Sequence, residues 1–190
     1  MLSQQQLMAA YEYACEIELR AFKPGNVSIY ADGHDMTVAD FRTSAEQSAR
    51  PITQTDDSLG ERIYYAVKAT REAVGCNTNL GIILLCAPLL LAAESASSAV
   101  TLREELSNIL ANTTVDDADW VFRAIALAAP GGLGESNEQD VAQKPDVTLT
   151  QAMKIAGNRD RIALQFTTNY KDVFDFLVLR YNASFNRWGD

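Results

Sequence analysis

The sequence predicts an all-α protein, in which a bundle of helices packs around one central apolar helix at about residues 79–95. Three observations support this class. Helix-capping patterns precede four segments with helical apolar spacing, and they begin at Ser3, Ser58, Thr101 and Thr148. The run from Leu80 to Ala93 is apolar on all sides, which is typical of a buried helix. No segment alternates with period two over enough residues to build a sheet.

The apolar spacing places the first three helices in order. Helix one covers about 3–21, helix two follows Asp35 and ends near Ala49, and helix three covers about 58–74. Phe41 and Ala45 of helix two face inward. The predicted inward stripe of helix one is Leu7, Ala10, Tyr11, Ala14, Glu18 and Ala21. A carboxylate on such a stripe lies at its edge or is functional, so Glu18 is of interest.

The second half continues the helical pattern. Helix four starts near Asn79, and Pro88 is expected to kink or split it, because proline removes one backbone hydrogen bond. Helices five and six cover about 101–112 and 116–129. After a glycine-rich turn and an acidic loop, helices resume near 148 and continue to about Tyr181, with breaks near Gly157 and Asn169. The segment 26–30 is the only short β-like stretch.

Composition limits the classes of function. The chain has 190 residues, a size that suggests one domain, and a formal net charge of −9. This charge argues against a nucleic-acid partner and against an anionic membrane surface. Three cysteines without metal or disulfide spacing suggest a reducing cytoplasm, and the first residues lack the features of a signal peptide. Cys15 and Cys86 are expected in the core.

Two polar segments are candidates for ligand binding. Asn77, Thr78 and Asn79 stand directly before the most apolar helix, where they could cap its first turn or contact a ligand. The segment 23–26, Lys-Pro-Gly-Asn, follows helix one. On its own it is either an ordinary helix stop with a solvated lysine or a place where the backbone approaches a ligand closely.

Charged residues form two further candidates. Arg161 and Gln165 lie one turn apart on a predicted helix and share a face, with Arg159 and Asp160 just before them. This group is either a surface ion-pair cluster or a bidentate phosphate site in which Asp160 orients an arginine or binds metal. The acidic loop after the glycine turn could hold Mg²⁺ or be solvated, and its carboxylates are Glu135, Glu138 and Asp140. The single histidine, His34, is more typical of a surface residue.

Four of these segments together resemble the triphosphoribosyl-dephospho-CoA synthase family. They are Lys23-Pro24-Gly25-Asn26-Val27, Asp35-Met36-Thr37 with Asp40-Phe41, Asn77-Thr78-Asn79-Leu80-Gly81, and Arg159-Asp160-Arg161-Ile162-Ala163 with Gln165-Phe166. The resemblance covers about residues 10–180. Members of the family usually continue for many tens of residues further, so the resemblance implies a short or C-terminally truncated member.

The resemblance implies an enzyme that transfers the triphosphoribosyl group of ATP to the 2′-hydroxyl of dephospho-CoA and releases adenine. Its implied ligand-binding residues are Lys23, Gly25, Asn26, Asn77, Thr78, Asn79, Arg159, Arg161 and Gln165. Mg²⁺ is expected with ATP, and its implied ligands are Asp35, Glu135 and Glu138. The carboxylate that stabilises an oxocarbenium-like state and deprotonates the acceptor is implied to be Asp35, with Asp140 second and Asp160 as a further candidate.

Two alternatives stay open at this point. One is a related phosphate-handling transferase with a different small-molecule acceptor, for example in pterin-cofactor synthesis, which the Gly-Gly-Leu-Gly-Glu loop at 131–135 suggests. The other is a non-catalytic helical protein that binds a nucleotide without turnover. An apolar patch left by missing C-terminal helices would favour a homo-oligomer.

Overall fold

The computed structural model describes residues 1–24, 26–33, 36–129, 141 and 143–188. In that part of the chain it contains nine α-helices and no strand, so the predicted all-α class is confirmed. The helices are α1 (Gln4–Arg20), α2 (Val38–Ile52), α3 (Leu59–Val74), α4 (Leu80–Ser95), α5 (Ala99–Ala111), α6 (Val115–Ala128), α7 (Leu149–Ala156), α8 (Arg161–Thr167) and α9 (Val178–Trp188). A π-helical turn, Val173–Leu177, leads into α9.

Local capping explains most of the helix starts. Ser3, Ser58 and Thr148 each accept a hydrogen bond from the backbone three residues later, as the sequence predicts. The prediction for α5 is wrong. This helix starts at Ala99, because Ser98 is the cap and Thr101 is the residue that returns the bond. Several S/T residues in a row offer alternative caps, and the structure uses the earlier one.

The predicted stripe of α1 is correct only in part. Its buried side chains are Leu7, Tyr11, Cys15 and Leu19. They repeat every four residues and form a single narrow row toward α2 and α4. Ala10, Ala14 and Ala21 lie outside this row and are exposed, while Glu18 is half-buried beside it.

The central position of α4 is confirmed. It packs against α1, α2, α3, α5 and α8. The sequence predicts a kink or a split at Pro88, and the helix continues through this residue, so it is not split there. Pro51 likewise lies inside α2, which ends at Ile52 rather than near Ala49. There Thr53 Oγ1 donates to the Ala49 carbonyl at 2.8 Å and supports the last turn.

The pair α3 and α6 forms a tightly packed scaffold beside α4. A Cβ atom placed on Gly60 would lie 2.7 Å from the Asp117 Cα, so only glycine allows this approach. Asp117 in turn accepts from the Gly60 N–H at 2.9 Å. Arg62 is fully buried and binds Glu94 of α4 at 2.5 and 3.3 Å.

The C-terminal segment lies mainly at the surface. α9 extends to Trp188, beyond the predicted end near Tyr181, and the large apolar side chains from Val178 to Phe185 are exposed. The exposed apolar residues of this segment are Phe176, Leu177, Val178, Leu179, Tyr181 and Phe185. Among the described residues no single helix has the length and apolar character to cross a membrane, although the bent pair α4 and α5 passes that test together.

Candidate functional site

The loop after α1 is held by a small apolar cluster of its own. Val27 is fully buried between Leu19 of α1 and Phe41 of α2. The Ile29 N–H donates to the Leu19 carbonyl at 3.0 Å, and Ser28 and Ala31 exchange two backbone hydrogen bonds. This short bridge is the β-like stretch that the sequence indicates. The cluster fixes the backbone on which Lys23 and Asn26 stand.

Lys23 lies in this loop and forms an ion pair with Glu18. Both side chains are about one-quarter to one-third exposed, at 25% and 34%. The lysine uses one of its three donors on Glu18 Oε1, so it can still donate to a further anion. Glu18 Oε2 is shielded from solvent and has no hydrogen-bond partner among the described residues. The ion pair therefore places the remaining N–H donors of Lys23 next to Glu18 Oε2, an acceptor without a partner among the described residues.

The polar segment before α4 is fixed to one face of α2. Thr78 Oγ1 donates to Ser44 Oγ at 2.6 Å, and Asn79 Nδ2 donates to Ser48 Oγ at 3.2 Å. The hydroxyls of Ser44 and Ser48 each donate a hydrogen bond to a backbone carbonyl of α2, both at 2.6 Å. Tyr11 OH lies 2.9 Å from Ser48 Oγ and acts as the donor to it, since the serine proton is used. The chain of hydroxyls is thus complete and directional.

The three residues of this segment differ in exposure. Asn77 Oδ1 accepts from the Leu80 N–H at 3.2 Å and caps α4, which confirms the capping interpretation for this residue. Asn79 is buried, with 4% exposure, and contributes by holding the loop. Asn77 and Thr78 are half-buried. They are the members of the segment that a ligand could reach.

Nearby thiols and phenols stay protonated. Burial raises the pKa of Cys15 to about 11 and that of Cys86 to about 12. Burial also raises the pKa of Tyr11 well above its ordinary value. These groups act as neutral packing or hydrogen-bonding residues, and the two cysteines lack the thiolate character of a nucleophile.

Helix α2 brings the lysine loop and the polar segment together. Phe41 packs against the loop, while Ser44 binds the polar segment one turn further on. At a rise of 1.5 Å per residue, these two contacts are about 5 Å apart along the helix axis. Two segments separated by about fifty residues in sequence are therefore neighbours on one helix face.

The arginine segment joins this region through α4. The Cδ1 atom of Ile162 lies 3.0 Å from the position that a Cβ on Gly81 would take, so the first turns of α8 and α4 touch. Arg161 Nη2 binds Asp172 at 2.6 Å, and Gln165 Nε2 binds the same carboxylate oxygen at 3.0 Å. The predicted shared face of Arg161 and Gln165 is confirmed by this common partner.

The two ends of this segment behave differently. Asp160 accepts from the N–H groups of Ile162 and Ala163 at 2.7 and 2.8 Å and is the N-cap of α8. This carboxylate therefore holds the start of the helix that presents Arg161. Gln165 is buried, and its Oε1 has no partner within the described residues. Arg159 is exposed, and it is not free of partners.

A family model connects these segments to a known chemistry. The model described as ATP:dephospho-CoA triphosphoribosyl transferase matches residues 4–190. The chain belongs to this family. Comparison with curated proteins and with solved structures gave no match. The resemblance seen in the four short motifs thus extends over nearly the whole chain, and the transferase class is established at the level of the family.

Several residues that the family resemblance singled out cannot be placed. Gly25, Asp35, Glu135, Glu138 and Asp140 lie outside the described residues, as does His34. In the described part of the chain no three His, Cys, Asp or Glu side chains converge to hold a metal ion. The predicted Mg²⁺ ligands Asp35, Glu135 and Glu138 all lie outside the described residues.

Other family-motif residues have structural positions. Asp40 accepts from the Thr37 N–H at 2.7 Å in the capping box of α2, and this bonding lowers the pKa of its carboxyl. A cleft of about 340 Å³ opens between α1 and α2, but Glu12, Glu16 and Glu46 line it. Three carboxylates and one cation, Arg42, line this cleft, so its net negative charge disfavours a polyphosphate.

Sequence reasoning missed the residues that organise this site. Ser44 and Ser48 carry no motif, and their role follows only from the fold that brings Thr78 and Asn79 to them. Their spacing of four residues on an otherwise inward face was an available signal, since such hydroxyls require partners when buried. Glu18 was visible as an acid on an apolar stripe, and the structure adds its pairing with Lys23.

Proposed function

We propose that this chain transfers the 5-triphosphoribosyl group of ATP to the 2′-hydroxyl of dephospho-CoA. The bond between the ribose anomeric carbon and adenine N9 breaks, and a bond from that carbon to the acceptor oxygen forms. The acceptor proton is removed and adenine leaves with one proton gained. The observation that carries this proposal is the family match over residues 4–190, together with the meeting of its motifs on α2.

The triphosphate is proposed to bind to lysine and arginine side chains that still have N–H groups free to donate hydrogen bonds. The chain carries a net charge of −9, so the anion needs local positive groups. Lys23 and Arg161 each bind one carboxylate and keep further N–H donors. We include Arg159 in this set, as the family resemblance implies. Gly25 and Asn26 would allow the phosphates to approach the backbone of the anchored loop.

The polar segment before α4 is proposed to orient the ribose. Asn77 and Thr78 are the half-buried members, and Asn79 fixes the segment through Ser48. Held by α2, these side chains lose little freedom when a ligand binds, which is the advantage of a prearranged site. Gln165 is proposed to bind the ligand from α8, as the family resemblance implies. Asp160 is assigned to positioning, since its carboxylate caps α8.

A carboxylate must accept the acceptor proton. Asp35 is the proposed base, with Asp140 as the second candidate, and Mg²⁺ bound by Asp35, Glu135 and Glu138 is the proposed companion of ATP. When bound, the ion would neutralise phosphate charge. Within the described residues Glu18 Oε2 is the carboxylate oxygen that is shielded and still able to accept a hydrogen bond. It would accept from a ligand hydroxyl beside Lys23.

The deciding experiment measures adenine release and the coupled product. Protein, ATP, Mg²⁺ and dephospho-CoA are incubated, and both products are quantified by mass spectrometry, with a parallel reaction that lacks dephospho-CoA. Lys23→Met should lower the rate by about 100-fold, a loss of about 2.7 kcal/mol of transition-state stabilisation. The matched control is Lys68→Met, which removes an exposed lysine paired with Glu72 on α3.

The outcomes separate the alternatives. Equal rates in Lys23→Met and Lys68→Met would contradict the phosphate site. ATP binding without adenine release in any condition would favour the non-catalytic nucleotide-binding protein. Adenine release that requires an acceptor other than dephospho-CoA would favour the related transferase. An Asp35→Asn protein that is folded and fully active would remove Asp35 as the base.

A further inference from the structure

Two aromatic rings stand in solvent beside the lysine loop. Phe22 and Tyr30 are 71% and 67% exposed, more than any other aromatic ring that the structure describes. Their centroids are 6.3 Å apart at an interplanar angle of 65°, an edge-to-face arrangement. Exposing two large apolar rings has a free-energy cost in water. Their position therefore requires an explanation that the transferase chemistry described so far does not supply.

The backbone that carries these rings is well fixed. Phe22 directly precedes Lys23, and Tyr30 lies in the turn closed by Ser28 and Ala31. The Ile29 N–H donates to the Leu19 carbonyl, which ties this turn to the end of α1. Both rings thus belong to the loop that Val27 anchors in the small apolar cluster. The backbone that carries both rings is therefore the same anchored loop that carries Lys23.

We propose that Phe22 and Tyr30 form an aromatic platform for the adenine ring of a nucleotide whose phosphates bind at Lys23, in which the base stacks on one ring and contacts the edge of the other. This inference rests on the proposed function and specifies where the base of one substrate lies. Adenine offers a flat π-face, and stacking of a base on an aromatic side chain contributes to affinity without requiring a hydrogen-bond code. Both ATP and dephospho-CoA contain adenine, so either substrate could supply the base.

The size of the patch favours a small ligand over a protein partner. A stable protein interface covers about 800 Å² on each partner. In the sequence, Lys23 and Asn26 stand between the two rings and Asp32 follows them, and all three residues are charged or polar. Asp32 Oδ1 accepts from the Val38 N–H at 3.4 Å and so belongs to the frame of the loop. A two-ring platform beside a cation matches the base and phosphate of one nucleotide.

The test measures binding of three probes to ring variants. The probes are ATP, dephospho-CoA and inorganic tripolyphosphate, and the variants are Phe22→Ala, Tyr30→Ala and the double variant. Affinity for at least one nucleotide should fall about tenfold, while affinity for tripolyphosphate stays within about twofold. Phe22→Tyr and Tyr30→Phe should retain nucleotide affinity. Tyr13→Ala, which removes a 59% exposed ring from α1, is the matched control.

Each result has a definite meaning. A loss confined to ATP assigns the platform to the donor, a loss confined to dephospho-CoA assigns it to the acceptor, and a loss for both supports a shared base site. The inference is overturned if neither nucleotide binds the unmodified protein, if the ring variants match Tyr13→Ala, or if tripolyphosphate weakens equally. It is also overturned if the variants change only the oligomeric state.

Failure of this inference can be separated from failure of the proposed function. Ring-dependent ATP binding without adenine release would keep the platform and contradict the transferase. Normal adenine release by the double variant at limiting ATP and dephospho-CoA would keep the transferase and contradict the platform.

Discussion

Two ion pairs in this bundle each contain a glutamate, but they differ in how many carboxylate oxygens accept a hydrogen bond. Glu94 receives two hydrogen bonds from Arg62, whose Nε also donates to the Asp57 carbonyl at 3.1 Å. Glu18 receives Lys23 on one oxygen, and its other oxygen has no partner in the described part of the chain. The first pair lies in the scaffold of α3, α4 and α6, and the second lies where the family motifs meet. A completed pair serves the fold, whereas an incomplete pair leaves capacity for a ligand.

The largest expected effect comes from removing the buried cation. Arg62→Met should lower the free energy of unfolding by about 3 kcal/mol, because Glu94 is left without its counter-charge. Urea unfolding measures this loss. Replacing both partners, as Arg62→Met with Glu94→Leu, should recover part of the stability. A single variant as stable as the unmodified protein would contradict the structural role of the pair.

The next effect tests the close contact of α3 with α6. Gly60→Ala should destabilise by about 2 kcal/mol, since its Cβ would meet the Asp117 backbone at 2.7 Å and backbone cannot move aside easily. Gly157→Ala is the matched control, because Gly157 has φ −59° and its nearest neighbour would be 3.4 Å away. Thermal or urea unfolding compares the two. Equal stability of both variants would show that the scaffold tolerates overpacking.

The third prediction applies one substitution to both glutamates. Glu18→Gln should change the free energy of unfolding by less than about 1 kcal/mol, because the pair is partly exposed. It should lower adenine release about tenfold, since an amide N–H₂ can replace the accepting oxygen. Glu94→Gln should instead lower stability and leave adenine release per folded molecule unchanged. The comparison fails if both variants lose stability and activity alike.

The smallest effect concerns an exposed pair between α1 and α2. Arg42 binds Glu16 through Nε and Nη2 at 2.9 and 2.8 Å, and this bonding lowers the pKa of Glu16 below its ordinary 4.5. A lowered folded-state pKa means that the stabilisation is present above pH 4.5 and is lost as pH falls through the lower folded value. The stability difference between the unmodified protein and Glu16→Gln should therefore shrink as the pH falls below 4.5. A difference in the free energy of unfolding that stays unchanged at low pH would show that the Arg42–Glu16 pair does not cause it.

Helix positions were predictable where the determining interaction is local. The caps at Ser3, Ser58 and Thr148 depend on residues three apart, so the sequence contains the whole interaction. The start of α5 was missed because Ser98 is followed three residues later by Thr101 rather than by Glu or Gln, and the threonine hydroxyl nevertheless returns the bond. Of the kink or split predicted at Pro88, the split does not occur, and α4 is supported by helices on several sides.

The candidate site was predictable as a set of motifs but not as an arrangement. Lys23 and Thr78 could be named from the sequence, whereas their shared contact with α2 requires the tertiary fold. Asp160 looked like a partner for an arginine, and the structure shows it capping α8. The unused oxygen of Glu18 depends on burial and on the position of Lys23, neither of which a linear pattern contains.

The hydroxyl of Ser48 also constrains how this chain can evolve. It accepts hydrogen bonds from Tyr11 and Asn79 at once, so three positions on three different segments share one small polar atom. The substitution Ser48→Ala would leave the buried donors of Tyr11 and Asn79 without an acceptor. The substitution Tyr11→Phe would remove one of these donors and leave no donor unpaired. Neutral paths through sequence space should therefore change Tyr11 before Ser48, an ordering that reconstructed ancestral sequences of the family would record.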